Sequence, residues 1–279
     1  MLAPRVISAI IGFMQIQSSH AIVLRHTDYG EADRIMTFFT REEGLFKGFA
    51  RGARKSRKRF GAALEAFSEI RLFWKAGRGS GLPLLQEAEL ETLHDGLRRD
   101  LSLLTLASYG CELVEELFGE GQPHPEVYRL LSAFLGHLDL HGAGPECRFL
   151  LELRALSLAG YIPHFLHCAE CFGGLEEELV FDAGRGGSLC RSCVAGRPGV
   201  TVQLQTIGSM ARSLLTPTDL FAGFRLSQLT LEEGFRVLED ALAQHLQRPL
   251  RSRAFLDRYQ PAESVQKGAV DLPAGGDKP

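Results

Sequence analysis

The chain has 279 residues, 45% of them hydrophobic and 23% charged, which excludes a disordered or collagen-like polymer and suffices for two domains, or three small ones. Its formal net charge of -3 argues, taken alone, against a nucleic-acid partner. The longest near-apolar stretches, Val6 to Met14 and Leu101 to Cys111, fall short of the ~20 residues that cross a bilayer, so no membrane span is expected.

Residues 1–13 carry one Arg and a short apolar run but no small-residue cleavage site, so they are not read as a signal peptide. Met14 offers a second start, which makes 1–13 an extension or a misassigned start. From there to residue 93 the apolar period is close to two. Candidate strands are Ala21 to His26, Arg34 to Thr40, Leu45 to Ala50, Phe67 to Trp74 and Pro83 to Glu91. Five short strands within so few residues predict a small closed barrel of the OB-fold kind.

Charge is distributed unevenly. Between Gly44 and Ala63 stand seven basic residues (Lys47, Arg51, Arg54, Lys55, Arg57, Lys58 and Arg59) and no acid. Taking those seven from 31 leaves 24 basic against 34 acidic residues, a net of -10 for the rest. A local polyanion-binding surface on an otherwise acidic protein has this form. A solvated loop is the plainer reading, but Phe46, Phe49 and Phe60 are interleaved with the cations as candidate stacking groups, and OB-fold faces and loops bind single strands.

From residue 94 the period changes to 3.6. Leu97, Leu101, Leu104, Ser108, Cys111 and Leu113, with neighbouring Leu106 and Val114, are expected to line one side of a helix ending at Gly119. A second helix should run from Pro125 to about Leu140, and a third from Glu146 to Ala159, stopped by Gly160. Two more are expected near Gln203 to Leu215 and Ser227 to Gln247. The reading is a helical bundle in two parts, 94–164 and 198–258, with a cysteine-bearing module inserted at 165–197 and a disordered tail at 259–279.

Cys168-x-x-Cys171 and Cys190-x-x-Cys193 are separated by 18 residues that read as a hairpin. Each pair puts two thiolates on one tight knuckle, and four sulfurs together form a closed tetrahedral site for one structural zinc ion. Unpaired thiol chemistry of this kind implies a reducing compartment. His124-Pro125-Glu126 matches half of a zinc deaminase motif, which makes a zinc-dependent nucleic-acid-modifying enzyme the alternative. It fails because His167, not Pro, precedes Cys168 and because the second cysteine pair is left without a use. His167 is expected to be exposed or to lie beside the site, and Cys111 and Cys147 to be core residues. There is no phosphate-binding G-x-x-x-x-G-K-[ST] loop and no G-x-S-x-G elbow, so the chain reads as a binding protein rather than an enzyme.

Three stretches carry a family resemblance. Tyr29-Gly30-Glu31-Ala32-Asp33-Arg34-Ile35, with Phe39-Thr40, Gly44 and Ala50-Arg51-Gly52-Ala53-Arg54-Lys55, is similar to the N-terminal barrel of the RecO recombination mediators of bacterial DNA repair. Gly160-Tyr161-Ile162-Pro163 ahead of Cys168 resembles the approach to their zinc module, and Pro249-Leu250-Arg251-Ser252-Arg253 their closing helix. The likeness spans residues 15 to 258. It implies an α+β multidomain chain with an OB-fold barrel, a helical bundle and an embedded four-cysteine zinc module. It also implies a non-enzymatic protein of the cytoplasm and nucleoid that binds single- and double-stranded DNA, anneals strands, and acts with RecR to load RecA onto strands coated by single-stranded-DNA-binding protein. That coating protein's acidic C-terminal tail needs an apolar groove with a basic rim. Arg129, Arg148 and Arg154 beside Leu130, Phe134, Phe149 and Leu153 supply candidates, unless the arginines pair with Glu126, Glu146 and Glu152 instead.

Overall fold

The computed structural model describes residues 15 to 259, apart from 78, 80, 162, 195, 197 and 198. The expected extension at 1–13 and the expected tail lie outside the described residues, except for Tyr259, which ends the last helix instead of starting the tail.

Five strands, β1 (Gln17–Tyr29), β2 (Asp33–Thr40), β3 (Gly44–Ala50), β4 (Glu69–Lys75) and β5 (Leu84–Thr92), close into a barrel in the order β1-β2-β3-β5-β4. Closure leaves no free edge to template aggregation. β1 is long enough to serve two neighbours: its first half pairs with β4 and its second with β2, with the register slipping between Val23 and Arg25. Alternation sends Ala21, Val23, Met36, Phe38, Ile70, Leu72, Trp74 and Leu85 into the barrel. Ile22, Leu24, Phe39 and Leu45 face outward, yet they are buried, because the helical region covers that side. From Ala21 to Leu24 both faces of β1 are therefore apolar, as expected of a strand stretch buried on two sides.

Beyond a 3-10 turn at Asp95–Arg98 come α1 (Leu101–Leu117), α2 (Pro125–His141), α3 (Pro145–Leu158), the short α4 (Arg191–Val194), α5 (Leu204–Leu214), α6 (Gln228–His245) and α7 (Arg251–Tyr259). Asp100 caps α1 by accepting from the N–H groups of Ser102 and Leu103 at 2.7 and 3.1 Å. Pro125 and Pro145 open α2 and α3, where a missing N–H costs nothing. Gly110 and Gly234 let helices touch: a Cβ there would stand 2.5 Å from the Phe134 ring and 2.4 Å from the Phe149 ring. The face expected of α1 is only partly right. Leu106, Cys111, Leu113 and Val114 are buried as expected, but Leu101 is exposed and Leu104 half-buried, whereas Tyr109 and Gly110 are also buried, because α1 is enclosed on more than one side.

The hairpin expected between the cysteine pairs is β6 (Glu178–Asp182) with β7 (Gly187–Leu189). A third strand, β8 (Val200–Gln203), pairs with the other edge of β6 and leads directly into α5. Leu179, Phe181 and Val202 from this sheet belong to the same core as the helices. The Asp240 carboxylate of α6 accepts from the Ala183 N–H at 2.9 Å, and Glu233 accepts from the Gln203 N–H at 3.0 Å and the Thr206 hydroxyl at 2.6 Å. The module is thus fastened to the bundle through its sheet.

Barrel and bundle share apolar and charged contacts. The Phe39 and Phe118 rings meet edge to face with centroids 6.2 Å apart, and Arg25 donates twice to Glu115 at 2.8 and 2.6 Å. Buried His94 lies 3.0 Å from Glu69, which also accepts from the Ser132 hydroxyl at 2.9 Å. No helix among the described residues is long and apolar enough to cross a membrane.

Candidate nucleic-acid surface and metal centre

The seven basic residues expected to meet phosphate divide into two groups. Arg51, Arg54, Lys55, Arg57 and Lys58 are exposed, and among the described residues none of these five is held in an ion pair. Lys47 is half-buried on β3 and ion-paired with Glu120. Arg59 is a brace: it donates to the Ser56 hydroxyl at 3.1 Å and the Arg51 carbonyl at 2.6 Å, and its guanidinium lies 4.8 Å over the Phe60 ring. The two outliers are spoken for by the fold, while the other five present unmatched positive charge.

The segment carrying them is shaped by its underside. Phe60, Ala63 and Leu64 are buried in the barrel core, and the Ala88 N–H of β5 donates to the Arg59 carbonyl at 2.9 Å. Its start is tied to the β1–β2 turn: Asp33 accepts from the Gly52 N–H at 2.7 Å, and Arg54 donates to the carbonyls of Ala32 (3.1 Å, from its N–H) and Glu31 (3.3 Å, from its guanidinium). Two of the three expected stacking aromatics are thereby corrected. Phe60 is 3% exposed, because the chain after β3 folds back against the barrel core, and Phe46 points inward from β3 opposite Phe38, its ring 4.8 Å from that of Trp74. Phe49 faces outward beside exposed Tyr29, their rings edge to face at 5.6 Å.

The sulfurs of Cys168, Cys171, Cys190 and Cys193 all lie within 4.8 Å of one another, and those of Cys171 and Cys190 are 3.7 Å apart. A tetrahedral ion with metal–sulfur bonds of about 2.3 Å holds its sulfurs about 3.8 Å apart, so the donor set fits one such ion. The knuckles are built by backbone: the Phe172 N–H donates to the Cys168 carbonyl at 3.0 Å, and the Cys193 and Val194 N–H groups to the Cys190 carbonyl at 3.0 and 3.1 Å. Phe172 completes the first knuckle in the left-handed region at φ 56, an uncommon conformation for a side-chain-bearing residue. Burial acts to raise the Cys168 thiol, but N–H groups of Cys171, Cys190 and Glu170 outweigh it and bring it down to about 6. The Cys190 and Cys171 thiols push Cys193 up to about 12. The Cys168 sulfur ionises readily while those of Cys171 and Cys193 resist, an opposition that a bound cation removes.

Other expectations resolve by position. His167 is exposed and packs against His164 and Phe172, and Cys111 and Cys147 are buried. His124 sits just ahead of α2 with its ring against Phe118 and is not among the four clustered donors, so the deaminase arrangement is not formed. The expected peptide groove does not assemble either. Leu130, Phe134, Phe149 and Leu153 are core residues. Arg154, 1% exposed, donates to the Leu220 and Thr218 carbonyls at 2.7 and 3.3 Å and to the Thr216 hydroxyl at 2.9 Å; burial brings its guanidinium down to about 10. Arg148 is ion-paired with buried Glu152 at 2.7 Å, and exposed Arg129 with Glu126. Tyr29, which ends β1 just before the turn that anchors the basic segment, is not among the aromatics expected to stack.

Residues 14–94 match the family described as Recombination protein O N terminal, and residues 98–254 that described as Recombination protein O C terminal. A curated relative from Syntrophotalea carbinolica, named DNA repair protein RecO, is 52% identical over 246 residues, covering 88% of this chain and 95% of the relative. Proteins of the same name from Geobacter metallireducens (38% identical, 89% and 100% covered) and Myxococcus xanthus (36%, 87% and 98%) span it similarly. With both of its halves matched and relatives aligned along nearly their full lengths, the chain belongs to the RecO family of DNA repair and recombination proteins.

Proposed function

We propose that this chain binds single- and double-stranded DNA without catalysing a reaction on it, anneals complementary strands, and works with RecR to place RecA on strands coated by single-stranded-DNA-binding protein. The observation that carries the DNA contact is the group of five exposed cations, Arg51, Arg54, Lys55, Arg57 and Lys58, on a segment whose underside is anchored in the barrel. Neutralising phosphates with such groups releases counterions and supplies affinity for any sequence. Family membership supports the repair role, and it alone supports the three protein partners. Of the arginines first considered for the coating protein's tail, Arg129 is the exposed one. A working place in the cytoplasm, on nucleoid DNA, follows from this role.

We read the ion at the four cysteines as zinc, held to fold the module. Four thiolates fill its tetrahedral shell and leave no position for water or substrate. Salt titration of the intact protein with single- and double-stranded oligonucleotides tests the DNA reading. If all five cations contact phosphate, log affinity against log salt should slope at about -3.5 on single strands. A slope near zero overturns it.

A further inference from the structure

The outward face of β2 and β3 is divided into a covered and an open half. Their register pairs Phe39 with Leu45, Thr37 with Lys47 and Ile35 with Phe49. The first pair is buried under the helical region, and Lys47 is engaged by Glu120. The third pair continues across β5, where Phe49 aligns with Leu84. Together with Tyr29 and Leu82 these residues line an open cleft of about 390 Å³. Tyr29 is 58% exposed, Leu82 41% and Leu84 37%, so the apolar floor faces solvent.

What covers it is indicated by its neighbours. The turn after Tyr29 is the one to which Gly52 and Arg54 are tied, which sets Arg51, Arg54 and Lys55 at the rim. Of the acids there, Asp28 is ion-paired with Arg34 at 3.1 Å, and Asp33 accepts from the Gly52 N–H, while Glu31 is exposed. An aromatic floor beside unmatched cations complements a ligand with flat apolar surfaces on a polyanionic backbone. Paired bases in a duplex hide those surfaces; unpaired ones expose them.

We propose that the cleft of Tyr29, Ile35, Phe49, Leu82 and Leu84 seats an unpaired base, with the Tyr29 and Phe49 rings as the stacking surface and the adjoining phosphates on Arg51, Arg54 and Lys55. This rests on the DNA reading above and adds to it a reason for preferring single strands. The cations hold any backbone; the cleft recognises that bases are free.

The test compares the full-length protein with its Tyr29→Ala and Tyr29→Phe variants, by fluorescence anisotropy, on an oligothymidylate and on an abasic strand of equal length. Stacking is worth a roughly 5- to 140-fold gain for each base seated, so the unaltered protein and Tyr29→Phe should prefer the thymidylate by that factor. Tyr29→Ala should lose the preference while keeping its affinity for the abasic strand and its salt slope. Exposed Tyr29 carries little of the fold, and a circular dichroism melt matching that of the parent establishes that the variant is folded. Equal affinity of the unaltered protein for both strands, or a Tyr29→Ala variant that retains the preference, overturns the cleft and leaves the phosphate contacts standing. Failure to bind either strand overturns the DNA reading and the cleft with it.

Discussion

The cysteine centre and the basic segment are both excursions from regular structure, but they are organised by opposite means. At the centre, four side chains converge within 4.8 Å and are turned inward onto one another. On the segment, five side chains diverge into solvent while Phe60, Ala63 and Leu64 beneath them hold the backbone. A convergent site depends on its ligand for its own folding, whereas a divergent one is folded before any ligand arrives. Losing the ion should therefore disturb structure, and losing the cations should disturb binding alone.

The largest effect expected is from Cys190→Ser or from strong chelation. Metal-coupled folding is worth on the order of 10 kcal/mol in isolated zinc modules, comparable to a domain's whole stability. The region from Leu166 to Val194 should lose hydrogen-exchange protection while the barrel keeps its own. One equivalent of zinc per chain in protein purified without chelator, and a tetrathiolate spectrum after cobalt substitution, should accompany this. A metal-free protein with full protection at Leu166 to Val194 would erase the contrast.

Next comes charge reversal at Arg54, Lys55 and Arg57. Three lost phosphate contacts should flatten the salt slope on single strands by about two and weaken binding on the order of 100-fold near 0.1 M salt. Thermal unfolding should be unmoved. A fall in melting temperature would show that the segment, too, depends on these side chains for its shape.

Arg59 sharpens the comparison because it sits in the same run but serves the fold. Arg59→Ala removes two hydrogen bonds and a ring contact, and should cost about 1 kcal/mol in urea unfolding with a change in DNA affinity of only a few-fold.

The smallest effect concerns the junction between barrel and bundle. Burial acts to raise the Glu69 carboxyl, but hydrogen bonds from His94 and Ser132 outweigh it and hold the group below its ordinary 4.5. A carboxyl depressed in the fold contributes stability above its unfolded value and loses it as pH falls through the folded one. Glu69→Gln should cost about 1 kcal/mol at neutral pH and flatten the decline in stability below about pH 4.5, as read from urea melts across that range.

Much of this was legible from residue order because the signals are local. Period-two alternation located all five barrel strands, and cysteine spacing located the knuckles, since a few residues of local chain geometry decide both. What escaped depended on partners distant in sequence. Val200–Gln203 is only four residues long and is a strand because β6 is there to pair with it. Phe46 and Phe60 read as outward because cations flank them, yet pairing with Phe38 turns Phe46 inward and the return of the chain against the barrel core buries Phe60. Arg154 looked like a surface cation until the loop from Thr216 to Leu220 closed over it with three acceptors.

The last helix brings a further consequence. α7 docks on α1, where the Glu112 carboxylate accepts from the N–H groups of Arg251 and Ser252 at 2.9 and 2.8 Å, and Arg248 just before it is ion-paired with Glu116. During synthesis on the ribosome the barrel has all its strands once Thr92 emerges, but the bundle cannot close until the segment around Arg251 has been made. Earlier still, until α1 and the Phe118 that follows it are in place, Ile22, Leu24, Phe39 and Leu45 form a bare apolar stripe on a finished barrel. The nascent chain is then most exposed to misassociation on a surface whose residues are at most 6% exposed in the completed protein.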